Sequence, residues 1–185
     1  MANVALHREK ILQAAIRLYR EKGYANSGLS EILALSGAPK GSLYYYFPGG
    51  KEELTAEAVR TAGKVVENTL RDLAIKSETP IAFIASYCSM LADWMAGSRF
   101  KSGCPIATTV LETVPFSKLL TETCASVFDS WITIVAEVFI SAGSSEAVAK
   151  EKAEHVIIAV EGALLLTRVQ QSVKPLLSVP KLLQP

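Results

Sequence analysis

The residue types best suited to chemistry in this chain lie together at positions 39–47. The run reads Pro-Lys-Gly-Ser-Leu-Tyr-Tyr-Tyr-Phe, so a cation, a glycine, a hydroxyl and three phenols follow one another closely. Lys40 can donate to guanine acceptors or to a phosphate, and Ser42 can hydrogen-bond to either kind of group. Gly41 leaves space for close approach of the backbone to a partner. This combination indicates a surface that contacts double-stranded DNA.

Two phenols and a second lysine extend this surface. Tyr44 and Tyr45 offer hydroxyls to phosphates and flat rings to thymine methyls. Lys51 precedes a long helical pattern, and the amide groups that open a helix also attract phosphate. Phe47 and Tyr19 are instead predicted to be core residues, because they fall on the apolar side of their helices.

Signatures of enzyme chemistry do not stand out in this sequence. The histidines, His7 and His155, are remote from any serine or cysteine nucleophile motif, and neither a P-loop nor a dinucleotide-binding glycine pattern is present. The three cysteines are odd in number and lack C-x-x-C spacing, which disfavours a disulfide framework and a zinc site. The sequence therefore predicts a protein that is not an enzyme, with no catalytic residue, metal or cofactor.

Charge is distributed unevenly along the chain. The formal net charge of all 185 residues is only +1, but residues 1–51 carry +4 and residues 52–185 carry −3. A basic end joined to a mildly acidic remainder is typical of a protein in which one part faces phosphates. The segment before the first apolar pattern does not read as a secretory signal, and the apolar run at 156–166 is short for a membrane span. These features favour a cytoplasmic protein without a membrane partner.

Helical periodicity dominates the sequence and predicts an all-α fold. In the N-terminal part, Gly23 is expected to end the first helix, Ser27 to cap the second, and Gly37 to break the chain after it. A third helix is predicted over 39–47. Two short helices separated by a glycine and braced by a longer one match the helix-turn-helix plan, whose last helix enters the major groove. We assign residues 1–52 to this DNA-binding domain.

The remaining residues, 53–185, are predicted to form a helical effector-binding and dimerisation domain. Apolar residues recur at helical spacing from Leu54 onward, and Pro80 and Pro105 are placed where helices begin. The tail beyond Ser172 is predicted to be irregular, because it contains three prolines.

Residues 8–54, and above all 36–54, resemble the DNA-binding domain of TetR-family transcriptional regulators. Pro39, the pair Gly49-Gly50 and the stretch 103–106 further resemble the LmrA/YxaF-like branch, which includes repressors linked to drug-resistance genes. The resemblance implies that seven residues contact DNA, namely Ser27, Lys40, Gly41, Ser42, Tyr44, Tyr45 and Lys51.

The resemblance also implies a homodimer that binds a palindromic operator and responds to a small-molecule effector. The effector is expected to be largely apolar, to bind between the helices of the second domain, and to release the repressor from DNA. Large side chains are predicted to line its pocket, and most of them carry a hydroxyl or an indole N–H: Tyr87, Met90, Trp94, Phe128 and Trp131. The small residues Ala159, Gly162 and Ala163 predict that the last long helix forms the dimer interface.

Several alternatives stay open from the sequence. Cys104 precedes Pro105 at a helix start, so a thiol-based redox-sensing regulator is an alternative to effector binding. A helical protein-interaction module without a DNA role is another, although it leaves the surface at 39–47 unexplained. For each aromatic residue of the second domain, a position in the hydrophobic core is an alternative to a position in the wall of the effector pocket, and the core is favoured. Glu112 and Glu161 are predicted either to meet a cationic ligand or to be solvated or paired carboxylates, and the second alternative is favoured.

Overall fold

Helices form every regular element that the structure describes. The computed structural model describes residues 2–39 and 41–183, with side chains from residue 6 onward. Within these ranges the chain contains no strand, which confirms the predicted all-α fold. The helices are α1 (Ala2–Lys22), α2 (Leu29–Ser36), α3 (Ser42–Tyr46), α4 (Gly50–Lys76), α5 (Pro80–Gly97), α6 (Pro105–Thr113), α7 (Lys118–Ser141), α8 (Glu146–Gln170) and α9 (Lys174–Leu182).

Glycines end the first two helices, as predicted. Gly23 follows α1 with φ +80°, and Gly37 follows α2 with φ +66°. A side chain rarely adopts this left-handed conformation, so glycine is the favoured residue at both C-termini. The amide of Gly37 donates to Leu33 O and completes the last turn of α2.

The start of α2 differs from the prediction. Its N-cap is Gly28, whereas the Ser27 hydroxyl is fully buried and donates to the Gly23 carbonyl. The prediction that Ser27 caps α2 is therefore wrong. A serine hydroxyl can bond to a carbonyl four residues back instead of to the amides ahead, and Ser27 does so across the turn after α1.

The third helix is shorter than predicted. It begins at Ser42 rather than Pro39, because a turn precedes it in which the Ser42 amide and hydroxyl both donate to Pro39 O. It ends at Tyr46, before Phe47 and the turn at Pro48. Helix α3 is thus five residues long.

The chain forms two compact units. The head unit comprises residues 1–63 and 105–127, and the body unit comprises residues 64–104 and 128–185. Helix α4 runs without a break through the predicted domain boundary after residue 52, and α6 belongs to the head unit. The functional division at residue 52 stays a prediction.

The C-terminal segment is helical, so the predicted irregular tail is wrong. Helix α9 begins with Pro175 in its first turn, where the missing amide hydrogen costs little. Leu176 and Val179 are buried, and α9 packs against α5 and α8. This burial outweighs the hydrogen bond that Pro180 cannot make inside the helix.

One helix, α7, is long and apolar enough to cross a membrane by length and composition alone, with a mean hydropathy of 1.5 over its most apolar window. It nevertheless carries Leu120, Trp131 and Val135, which are buried within the protein. Part of the apolar surface of α7 is therefore used in packing within the folded protein.

Candidate functional site

Helix α3 and the residue that follows it place some of their large side chains in the core and others at the surface. Leu43 and Phe47 are 1% and 0% exposed, and they anchor the helix in the head unit. Tyr44 and Tyr45 are 63% and 73% exposed, so their phenols project into solvent. This exposure leaves both phenols accessible to a partner, as the predicted DNA contacts require.

Gly41 and Ser42 lie next to these tyrosines. A Cβ built on Gly41 has nothing within 4 Å, and its φ of −79° suits any residue. The protein itself therefore does not require glycine there, and the open space is available to a partner. The Ser42 hydroxyl is held by Pro39 O at 2.6 Å and keeps lone pairs for a further donor. Lys40, predicted to contact DNA, lies outside the described residues.

Lys51, at the start of α4, is bound within the head unit. Its Nζ donates to Tyr24 O at 2.6 Å and lies 4.2 Å from the centre of the Tyr24 ring. Burial lowers the pKa of Lys51, and the nearby Glu112 carboxylate opposes that change. The sequence analysis did not identify Tyr24 as this partner, and the only signal available was an aromatic residue beside the glycine that ends α1.

The side chain of Ser27 has no surface to offer to DNA. It is 0% exposed, and its hydroxyl is used by Gly23 O at 2.6 Å. Its role in this structure is to close the turn between α1 and α2, so we remove the Ser27 side chain from the set of proposed DNA contacts.

Buried and half-buried polar contacts fix α1 to α4. The Thr55 hydroxyl donates to Lys51 O at 2.6 Å, so the Tyr19 hydroxyl donates to Thr55 Oγ1 at 2.7 Å. Burial raises the pKa of Tyr19 to about 12. Arg8 bonds to Glu57 at 2.7 Å, with its guanidinium 5.2 Å from the centre of the Phe47 ring. These contacts hold α1 against α4, and Arg8 also contacts Phe47, the residue that follows α3.

The five predicted effector residues differ in exposure within the body unit. Tyr87 and Trp131 are 5% and 2% exposed, Trp94 and Phe128 are half-buried, and Met90 is exposed. Phe128 and Trp131 contact each other edge to face, with ring centres 5.3 Å apart. Two surface grooves of about 510 and 440 Å³ lie elsewhere in this unit, and neither is lined by any of the five residues. The effector residues stay a prediction.

A polar cluster lies among the apolar side chains of the body unit. Glu161 on α8 accepts a hydrogen bond from the Cys104 thiol, and Tyr87 on α5 interacts electrostatically with Glu161, Cys104 and Cys88. Burial raises the pKa of Glu161 to about 7, which the contact with Cys104 only partly offsets. Burial also raises the pKa of the Cys88 thiol to about 11. Burial thus brings the pKa of Glu161 close to neutral pH.

The raised pKa of Glu161 predicts that stability depends on pH. The protonated carboxyl is favoured in the folded state, so its contribution is full below the pKa of the unfolded chain and is lost as pH rises through about 7. We expect the Glu161→Gln variant to unfold at higher denaturant concentration than the wild type at pH 8, and at a similar concentration at pH 5. Urea unfolding at both pH values tests this, and an equal difference at the two would contradict it.

An apolar stripe lies exposed along α8. Ile158 and Leu165 are 68% and 57% exposed, and the stripe continues through Leu166 and Val169. Gly162 lies on the same face with open space around it, whereas Ala163 is buried inside the protomer. Of the three small residues predicted to form the dimer interface, Ala163 therefore packs within the chain. A patch of this kind marks an interaction surface.

Comparison with known proteins agrees with this architecture. Residues 11–58 match the sequence profile of bacterial regulatory proteins of the tetR family, and residues 80–182 match the C-terminal domain of LmrA/YxaF-like transcriptional regulators. The regulators YxaF and LmrA of Bacillus subtilis (strain 168) are each 36% identical to the chain over 93% of its length, and the match covers 90% and 92% of their own lengths.

Solved structures show the same fold. A regulatory protein TetR from Rhodobacter sphaeroides superimposes with a TM-score of 0.87 at 24% identity, covering 96% of this chain and 97% of the other. The family profiles, the coverage of the relatives and the fold of the solved structure all point to the same family. These relatives are transcriptional regulators rather than enzymes, as predicted. The chain is a DNA-binding transcriptional regulator of the TetR family, and it belongs to the LmrA/YxaF-like branch of that family.

Proposed function

We propose that the protein is a repressor that binds a palindromic operator as a homodimer and is released by a small, largely apolar effector. The observation that carries the proposal is the solvent exposure of Tyr44 and Tyr45 on a helix that the buried residues Leu43 and Phe47 anchor. A relative in a Mycobacterium species, 22% identical to this chain, is named the transcriptional repressor DhaR, which supports the direction of control.

The proposed DNA contacts are centred on α3. Gly41, Ser42, Tyr44 and Tyr45 lie at the exposed edge of the helix, and Lys40 immediately precedes them. Lys51 joins the set at the start of α4, where phosphate would compete with Tyr24 O for its ammonium group. Phosphate contacts would fix the register of α3, and the tyrosines would contact base edges in the major groove.

The apolar stripe of α8 supports a homodimer. A two-fold dimer brings the same stripe of each protomer together and presents two copies of α3 to the two halves of a palindrome. An effector bound by Tyr87, Met90, Trp94, Phe128 and Trp131 would favour a conformation in which the two copies of α3 no longer fit successive grooves. We place this regulator in the cytoplasm, where it has access to DNA.

Removal of an exposed phenol ring tests the groove assignment. We expect Tyr44→Ala and Tyr45→Ala each to weaken binding to a selected duplex by roughly 10-fold, which corresponds to about 1.4 kcal/mol per variant. Fluorescence anisotropy with a duplex enriched from a random-sequence library measures the change.

Phe116→Ala is the matched control, because Phe116 is an exposed aromatic residue of the same unit, with 92% of its surface accessible. Its affinity for the duplex should equal that of the wild type. Wild-type affinity of both tyrosine variants would contradict the assignment of α3 as the reading helix.

Thiol-based sensing through Cys104 is the second candidate function. Cys104 is only half-buried, whereas Cys88 and Cys124 are buried and their pKa values are raised to about 11. If Cys104 senses oxidants, hydrogen peroxide releases the wild type from the selected duplex and leaves the Cys104→Ser variant bound. Mass spectrometry then shows oxidation at Cys104. Equal retention of DNA by both proteins would exclude this function.

A further inference from the structure

Glu112 is an acidic residue of α6 that contacts the turn between α1 and α2. Its carboxylate accepts a hydrogen bond from the backbone amide of Ala25. The carbonyl of the same peptide unit, Tyr24 O, accepts from Lys51 Nζ at 2.6 Å. A carboxylate from α6 and an ammonium from α4 therefore hold one peptide group from its two sides. Charged partners make both hydrogen bonds stronger than neutral ones.

The turn is shaped to receive this carboxylate. Gly23 has φ +80°, and a Cβ at that position would overlap Glu112 Oε1. Glycine is favoured there by the backbone conformation, and the absence of a side chain leaves space for the Glu112 carboxylate. A larger residue at position 23 would displace the carboxylate from the Ala25 amide.

A second polar group of α6 faces the end of α1. The Thr108 hydroxyl, one helical turn before Glu112, lies 3.1 Å from Pro105 O of its own helix and 3.3 Å from Tyr19 O in the last turn of α1, so its one proton is shared between the two carbonyls. Residues four apart share a helix face, so one face of α6 follows the end of α1 and the turn after it. All of these residues belong to the head unit.

We propose that Glu112 is a positioning residue for DNA reading, which ties α6 to the Tyr24–Ala25 peptide and thereby sets the orientation of α2 and α3. The inference rests on the proposed function, since it concerns how the reading helix is held for DNA. Glu112 also keeps the peptide that binds Lys51 in place, so it controls where the Lys51 ammonium group stands at the start of α4. No direct contact between Glu112 and DNA is required for this role.

The test compares Glu112→Ala, which removes the acceptor, with Glu112→Gln, which keeps an oxygen in reach of the Ala25 amide. The control is Glu122→Ala, an exposed acid of α7 in the same unit. Full-length proteins are assayed by anisotropy with a duplex enriched by the wild type from a random-sequence library. Hydrogen exchange of the segment around Ala25 is followed without DNA.

For Glu112→Ala we expect roughly 10-fold weaker binding and faster exchange at Ala25. Glu112→Gln should restore the exchange protection and most of the affinity, and Glu122→Ala should match the wild type. Gly23→Ala should weaken binding more in the wild type than in the Glu112→Ala background, because the overlap with the carboxylate is then absent.

Wild-type affinity and exchange in Glu112→Ala would overturn the proposal. So would an equal loss of affinity in Glu112→Gln with protection at Ala25 intact, because the contact would then not be the cause. A wild type that enriches no duplex overturns the proposed function itself, and the DNA-reading role of Glu112 falls with it, whatever the exchange data show.

Discussion

Arginine at both Ile158 and Leu165 is expected to convert the protein into a monomer and to weaken operator binding by on the order of 100-fold or more. Both residues lie on the apolar stripe of α8, with 68% and 57% of their surfaces accessible. Two-fold symmetry brings each substituted position into one interface from both protomers, so four like charges would meet there. A monomer binds one half-site and loses the gain from linking two reading helices.

Ile75→Arg is the matched control, because Ile75 is 85% exposed and lies at the end of α4 rather than on α8. Sedimentation and anisotropy should show a dimer with wild-type affinity for this variant. A dimer of the Ile158→Arg, Leu165→Arg protein would exclude α8 as the interface, and undiminished operator binding by its monomer would contradict the need for two protomers.

Trp131→Ala is expected to lower the free energy of unfolding by roughly 3–5 kcal/mol. Trp131 is 2% exposed, and its ring contacts Phe128 edge to face with centres 5.3 Å apart. Alanine leaves a cavity that the surrounding helices fill only in part. Urea unfolding followed by circular dichroism, at one fixed protein concentration, measures the loss.

Trp94→Ala is the comparison, since Trp94 is a half-buried tryptophan of the same unit. Its loss of stability should be clearly smaller. A change of less than about 1 kcal/mol in Trp131→Ala would contradict its role as a core residue, whereas its proposed place in the effector pocket is tested separately by the effector response of the same variant.

Helix boundaries set by local chemistry were predictable. Gly23 and Gly37 end helices because the left-handed conformation favours glycine, and Pro80 begins one because proline fits the first turn. The resemblance over residues 36–54 located the reading helix, since its order of small, basic and phenolic residues is long enough to be specific.

Features that depend on distant contacts were not predictable. Glu112 and Ala25 are 87 positions apart, and no periodic pattern connects them. Helix α9 forms because Leu176 and Val179 pack against other helices, which outweighs the signal from its prolines. Ser27 closes a turn instead of capping α2, because the choice between two nearby backbone partners depends on the geometry of that turn.

The type of an aromatic residue does not predict whether its side chain lies in the core or lines a pocket. Trp131 and Trp94 share their chemistry, yet the first is buried and the second is half-buried. The same limit applies to Glu112 and Glu161, which look alike in the sequence. The first binds a backbone amide, whereas the second lies in a cluster where burial raises its pKa to about 7.

The most direct measurement is the affinity and stoichiometry of the purified protein on DNA at two salt concentrations. One duplex is enriched by the protein from a random library, and the other is a scrambled duplex of the same composition. We predict two protomers per enriched site, or a small multiple of two, and a preference on the order of 10³-fold that persists at the higher salt concentration. Equal affinities for the two duplexes, lost together as salt rises, would contradict the proposal that this chain recognises a specific operator.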